Sequence, residues 1–90
     1  MIVYVISWLR QTDGCAPSDG IGLKAFKSEE EAKDGLVKFL EEERSLLVNS
    51  PEDEANIVMS VDKDGMSGII HDRWYTDTYI ARILDVEVEC

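Results

Sequence analysis

At ninety residues with 44% apolar side chains, the chain is long enough for one small core and too apolar for intrinsic disorder. Nineteen Asp and Glu face nine Lys and Arg, a formal net charge of −10. That balance argues against direct binding to a nucleic-acid backbone, where cations must displace counterions, and favours cationic partners.

Met1 to Arg10 places Ile2, Tyr4, Ile6 and Trp8 on one side of a predicted strand and Val3, Val5 and Leu9 on the other. A strand apolar on both faces belongs inside a covered sheet. Thr12 to Gly22 gathers glycines, Pro17 and short polar residues and reads as a surface loop, followed by a short strand over Leu23 to Phe26. Ser28-Glu29-Glu30-Glu31 is a capping box, and Ala32, Leu36, Phe39, Leu40, Glu43 and Leu47 recur at helical spacing, the stripe broken at Glu43. The predicted helix runs about nineteen residues, roughly 28 Å. Asn49-Ser50-Pro51 ends it, and Ser50 to Asp53 can cap a short extra turn.

The last third reads as β-structure: Asn56 to Asp62, a type I′ hairpin turn at Asp64-Gly65, Ser67 to Tyr75, a turn at Thr76-Asp77-Thr78, and Tyr79 to Glu89. The order β-β-α-β-β-β predicts a single α+β domain over residues 1–90, a mostly antiparallel sheet of about five strands packed by one long helix. Five strands spaced about 4.8 Å apart are wider than one helix. Either the sheet curls on itself, or its open face meets a partner or a second copy. Tyr4, Trp8, Trp74 and Tyr79 are the residues expected on that dimeric or partner-binding face, the alternative being that they are simply core.

Little in the chain points to catalysis, a metal or a cofactor, and none is expected. Asp62-Lys63-Asp64-Gly65 has the beginnings of a calcium loop but places His71 where a bidentate Glu is required. His71 with Cys15 is a minimal nucleophile–base pair, yet Asp72, next along the strand, points to the opposite face and cannot orient it. Gly20-Ile21-Gly22 precedes a strand rather than opening a helix, so it is not a phosphate loop. The longest aliphatic stretch is too short to span a bilayer, and no basic segment with a cleavage site marks a leader. A cytoplasmic location with both cysteines, Cys15 and Cys90, as free thiols is expected.

The acids are not evenly spread. Glu29 to Glu54 holds ten of them against Lys33, Lys38 and Arg44, a net −7. Glu30, Asp34, Glu41 and Glu42 lie on the helix side away from the apolar stripe, with Glu52, Asp53 and Glu54 just beyond. Successive helical turns rise about 5.4 Å, comparable to the spacing of phosphates along a strand. These seven residues are the expected contacts to a basic partner, with the loop Asp13 to Asp19 a lesser candidate; the alternative is a solvated face that keeps the protein soluble.

A strand over Met1 to Arg10, a variable loop, a short strand and then Ser28-Glu29-Glu30-Glu31-Ala32 opening a helix resembles many small phage and mobile-element proteins, over about half the chain. With its size and charge, the whole resembles the broad group of phage-encoded inhibitors of host defence, anti-CRISPR and DNA-mimic proteins among them. It is also similar in bulk properties to acidic immunity proteins that neutralise nucleases. The resemblance implies a non-enzymatic inhibitor that binds a basic nucleic-acid-handling protein, such as a host defence nuclease complex, by occupying its nucleic-acid groove. An oligomeric structural or regulatory subunit, associating through the aromatic sheet face, is the alternative expectation.

Overall fold

The computed structural model describes residues 1–22 and 24–89. Its elements are β1 (Ile2–Thr12), β2 (Ser18–Ile21), α1 (Glu29–Leu47), α2 (Pro51–Asn56), β3 (Ile57–Val61), β4 (Ser67–Asp72) and β5 (Asp77–Glu87). The strands form one antiparallel sheet in the order β2-β1-β5-β4-β3, with α1 laid across one face. The α+β architecture with five strands and one long helix is therefore as expected, with α2 added between α1 and β3.

Helix α1 starts where its local chemistry dictates. Ser28 stays extended, and its hydroxyl accepts from the Glu31 amide at 3.2 Å. Ser50 repeats the device for α2 with the Asp53 amide, and Pro51 occupies the first turn. Ala32, Leu36 and Leu40 form the fully buried face of α1, set against Ile6, Ile70, Ala81 and Ile83 of the sheet, with Phe26 closing one side. Glu43, which interrupts the stripe, is half-buried near Tyr79 and Arg10. Arg10 donates to both Asp77 carboxylate oxygens at 3.1 and 2.8 Å. Those hydrogen bonds hold the guanidinium above its ordinary value against the opposing effect of burial.

Three connections differ from expectation. The second strand occupies Ser18–Ile21, inside the stretch read as loop; Leu23 lies outside the described residues, and Phe26 makes only a bridge to Tyr4. Strand β2 forms there because Gly20 leaves room for the Trp8 indole, which an added Cβ would meet at 2.6 Å. The β3–β4 turn falls at Asp64-Gly65 but is not type I′. Only Gly65 has positive φ, 75°, and its amide bonds back to the Asp62 carbonyl at 2.9 Å. The strain is thus confined to the residue without a Cβ. The β4–β5 turn lies earlier than predicted. Its left-handed residue is Tyr75, at φ 57°, and the Asp72 carboxylate secures it by accepting from the Thr76 amide at 2.7 Å and from the Thr76 hydroxyl. Asp77 and Thr78 consequently belong to β5.

Strands β1 and β5 pair along their entire length, from Ile2 with Glu87 to Thr12 with Asp77. Only Thr78 to Arg82 of β5 also pair with β4, so Leu84 to Glu87 run on with β1 alone as an arm, flanked on the far side of β1 by the Phe26 bridge to Tyr4. The molecule is accordingly elongated, 47 × 25 × 21 Å.

Candidate partner-binding surfaces

On α1, Glu30, Asp34 and Glu41 fall within about 40° of arc and about 16 Å along the axis, turned about 140° from the buried face of Ala32, Leu36 and Leu40. All three are exposed, as is Glu42 to one side, and among the described residues none makes an ion pair. Of the acids beyond the helix, Glu52 is similarly open. The other two are engaged. Glu54 pairs with Arg44 at 3.3 Å, and the Asp53 carboxylate accepts from the Asn49 amide at 3.0 Å. Arg44 itself is turned inward, donating to the carbonyls of Ile57 and Glu54, so it ties α1 to α2 and β3. The seven sequence-predicted contacts thus divide into five available carboxylates and two with structural duties.

Beside this strip lies a groove of about 590 Å³ between α1 and the segment preceding it. Ile6, Phe26 and Phe39 line its apolar part, and Glu31, Asp34, Glu42, Lys24 and Lys38 its polar part. The Lys24 ammonium lies 5.2 Å from the centre of the Phe26 ring, so the groove already holds a cation over an aromatic face. Sequence reasoning missed this groove because it depends on a tertiary neighbour of the helix.

A second cleft, of about 400 Å³, is lined by residues that include Glu52, Asp53, His71, Asp72, Trp74 and Asp77. Its acids are largely committed: Asp53 as above, Asp77 to Arg10 and Thr12, and Asp72 to the turn. Burial pushes the Asp72 carboxyl up, but hydrogen bonds from Thr76 and from the Asp77 amide outweigh it and leave it below the ordinary range. The His71 Nδ1 lies 2.8 Å from the Asp72 carbonyl oxygen, a pure acceptor, and its ring stacks on Tyr75 with centroids 4.1 Å apart. The Asp72 carboxylate does not orient the imidazole. No cluster of metal ligands occurs among the described residues, and no helix there is long and apolar enough to cross a membrane.

The aromatic residues expected on the open face of the sheet are not there. Tyr4 and Trp8 share the parity of Ile6 and lie on the helix side, where both pack against the core. Tyr79 is 6% exposed and stacks on Trp8 at 5.6 Å. Burial, aided by Glu43, pushes its phenol up to about 12. Trp74 lies in the β4–β5 turn and is 63% exposed. Of the four, Tyr79 is core and Tyr4 and Trp8 pack against it, because large rings fill the gap between a helix and a twisted sheet.

The uncovered face belongs to the opposite parity. One row across it reads Ser60, Ile69, Ile80, Leu9 and Asp19 from β3 to β2, and the arm continues it with Val5 beside Leu84 and Val3 beside Val86. Ile80, Leu84 and Val86 remain 41, 38 and 40% exposed. Asp19 on the outer strand and Arg82 on β5 are this face's carboxylate and guanidinium; apart from His71 and those two, its paired positions are apolar or neutral. The acidity of the chain is thus kept off this side almost completely.

Comparison with family models, with curated proteins and with solved structures finds no match for this chain.

Proposed function

We propose that this chain is a non-enzymatic acidic inhibitor, acting in the cytoplasm, that occupies the nucleic-acid groove of a basic protein, a host defence nuclease complex of the kind countered by phage-encoded inhibitors being the leading class of target. The observation that carries the reading is the strip of Glu30, Asp34 and Glu41, flanked by Glu42: exposed, unpaired among the described residues, and held on one rigid helix. The rigid helix fixes the spacing of these carboxylates, and their field steers the encounter. Glu52 extends the strip past the helix end, whereas Asp53 and Glu54 contribute charge without direct contact. The groove beside the strip offers an aromatic seat for one cationic side chain, which would displace Lys24.

The test immobilises the chain, passes host lysate over it at low salt, and elutes with duplex DNA. Nucleic-acid-binding proteins released by the duplex, and retained several-fold less on a matrix carrying Glu41→Lys and Glu42→Lys, are the expected result. Retention indifferent to both the duplex and the reversals refutes mimicry.

A second reading, an oligomeric structural or regulatory subunit, is favoured by the apolar open face of the sheet, with Ile80, Leu84 and Val86 in place of the aromatic set.

A further inference from the structure

We infer that the open face of the sheet is the interface of a symmetric homodimer, in which two copies stack sheet on sheet with a twofold axis running along β1 and their acidic helices facing outward. This rests on the second reading's sheet face and is independent of what the acidic strip binds. A chain with nineteen acids that leaves Val3, Val5, Leu9, Ile80, Leu84 and Val86 on one uncovered face has an amphipathic build at the level of the whole molecule. Large exposed apolar patches on small proteins mark interaction sites.

Charge selects a second copy over other occupants. A nucleic acid requires Lys and Arg, of which the paired positions of this face hold Arg82. An anionic lipid surface repels a −10 chain. Two copies stacked through this face avoid their own repulsion. Sheets pack about 10 Å apart and a helix adds about 10 Å on each side, so the acidic strips stand about 30 Å apart, some three Debye lengths at 0.1 M salt.

The face is also self-complementary. Arg82 on β5 and Asp19 on β2 flank β1 on opposite sides. A twofold axis along β1 exchanges those sides and sets each Arg82 over the second copy's β2. The remaining offset to Asp19 is two residues, about 7 Å, within an arginine's reach. Leu9, Val5 and Val3 then lie on the axis and meet their own counterparts. With the axis along β1, the overlapping strands are β1, β2 and the stretch of β5 that faces β2, which at about 3.3 Å per residue and about 4.8 Å spacing present a projected area of roughly 300 Å² per copy, hence about 600 Å² in total, the size of a weak contact.

Sedimentation equilibrium between about 10 and about 500 µM in 0.15 M NaCl tests this, since an interface of that size gives a weak dimer. The wild-type chain is expected to dimerise across the range. Leu84→Asp, at an already exposed site, should weaken the dimer at least about 100-fold by burying carboxylates, with far-UV circular dichroism unchanged. Arg82→Asp should weaken it, and Asp19→Arg in the same chain should restore it. Glu41→Lys with Glu42→Lys should leave it intact, separating this interface from the acidic strip. A wild-type monomer at the highest concentration, a Leu84→Asp dimer of undiminished strength, or failure of the charge swap overturns the arrangement; capture of a different protein by a monomer does so equally.

Discussion

Gly68→Ala probes how closely α1 sits on the sheet. Gly68 is buried in β4, and a methyl group there would stand 2.4 Å from Leu40 Cδ1 and 3.0 Å from the Ser60 carbonyl oxygen. Neither neighbour has room to move: Leu40 is 0% exposed, and β4 is held by ladders to β3 and β5 on both sides. Overpacking of this kind costs about 1–3 kcal/mol. Lower entropy of the unfolded chain returns about 0.4–1 kcal/mol. A net loss of about 1–2 kcal/mol follows, or roughly 5–15 °C in Tm for a domain of this size. Urea unfolding followed by circular dichroism should show a lower midpoint at unchanged m. Leu40→Ala alone empties a fully buried site and should cost about 2–5 kcal/mol. In the double variant the methyl enters the vacated space, so the combined loss should fall short of the sum by about 1–2 kcal/mol. Additive losses, or a Gly68→Ala variant as stable as wild type, would show that the helix does not rest on β4 at this point.

Asp72→Asn removes a carboxyl held below its ordinary value of 3.8. The wild-type advantage should be complete above that pH and vanish as the pH falls through the lower folded-state value, as acid titration of urea midpoints will reveal. Tyr79 gives the opposite sign: its phenol is pushed up to about 12 from 10.0, so folding stability falls as pH rises through that interval. Tyr79→Phe should flatten the alkaline limb of thermal unfolding; an unchanged slope would place the hydroxyl in water. Because the formal charge is −10, raising NaCl from about 10 mM to about 0.5 M should increase Tm by screening self-repulsion, most steeply at the low end. A Tm indifferent to salt would mean that the carboxylates are already neutralised.

Where the chemistry is local, the sequence was sufficient. The capping serine, the glutamates after it and the apolar stripe located α1, and Asp64-Gly65 located a turn. What escaped was set by tertiary neighbours. Strand β2 depends on an indole lying over Gly20 from a strand away, which no composition rule for glycine-rich segments anticipates. The β4–β5 turn uses Tyr75 as its left-handed residue, a side chain that carries no turn signal, and is held by an Asp72 carboxylate that sequence alone assigns to a strand. Alternation in β1 separated two apolar sides, but only the position of α1 decides which is covered. Aromatic content was a poor guide to the open side because the rings are what the helix needs beneath it. Among the acids, exposure on α1 was legible, while the capture of Glu54 by Arg44 required α2 to fold back beneath the end of α1.

The pairing of β1 with β5 has a consequence for how the chain acquires its structure. The first strand finds its full-length neighbour only in the last one, and the Val88 amide closes on the Met1 carbonyl at 2.8 Å. Loop closure across nearly the whole chain must precede the central ladder, which slows folding relative to a helical domain of equal length. Helix α1 and the β3–β4 hairpin can organise early from neighbouring residues, yet neither has a sheet to rest on until both ends arrive. On the ribosome, Ile2, Val3, Val5 and Leu9 are made before their β5 partners and must wait for them, an apolar segment dependent on its surroundings to stay unaggregated until β5 is made.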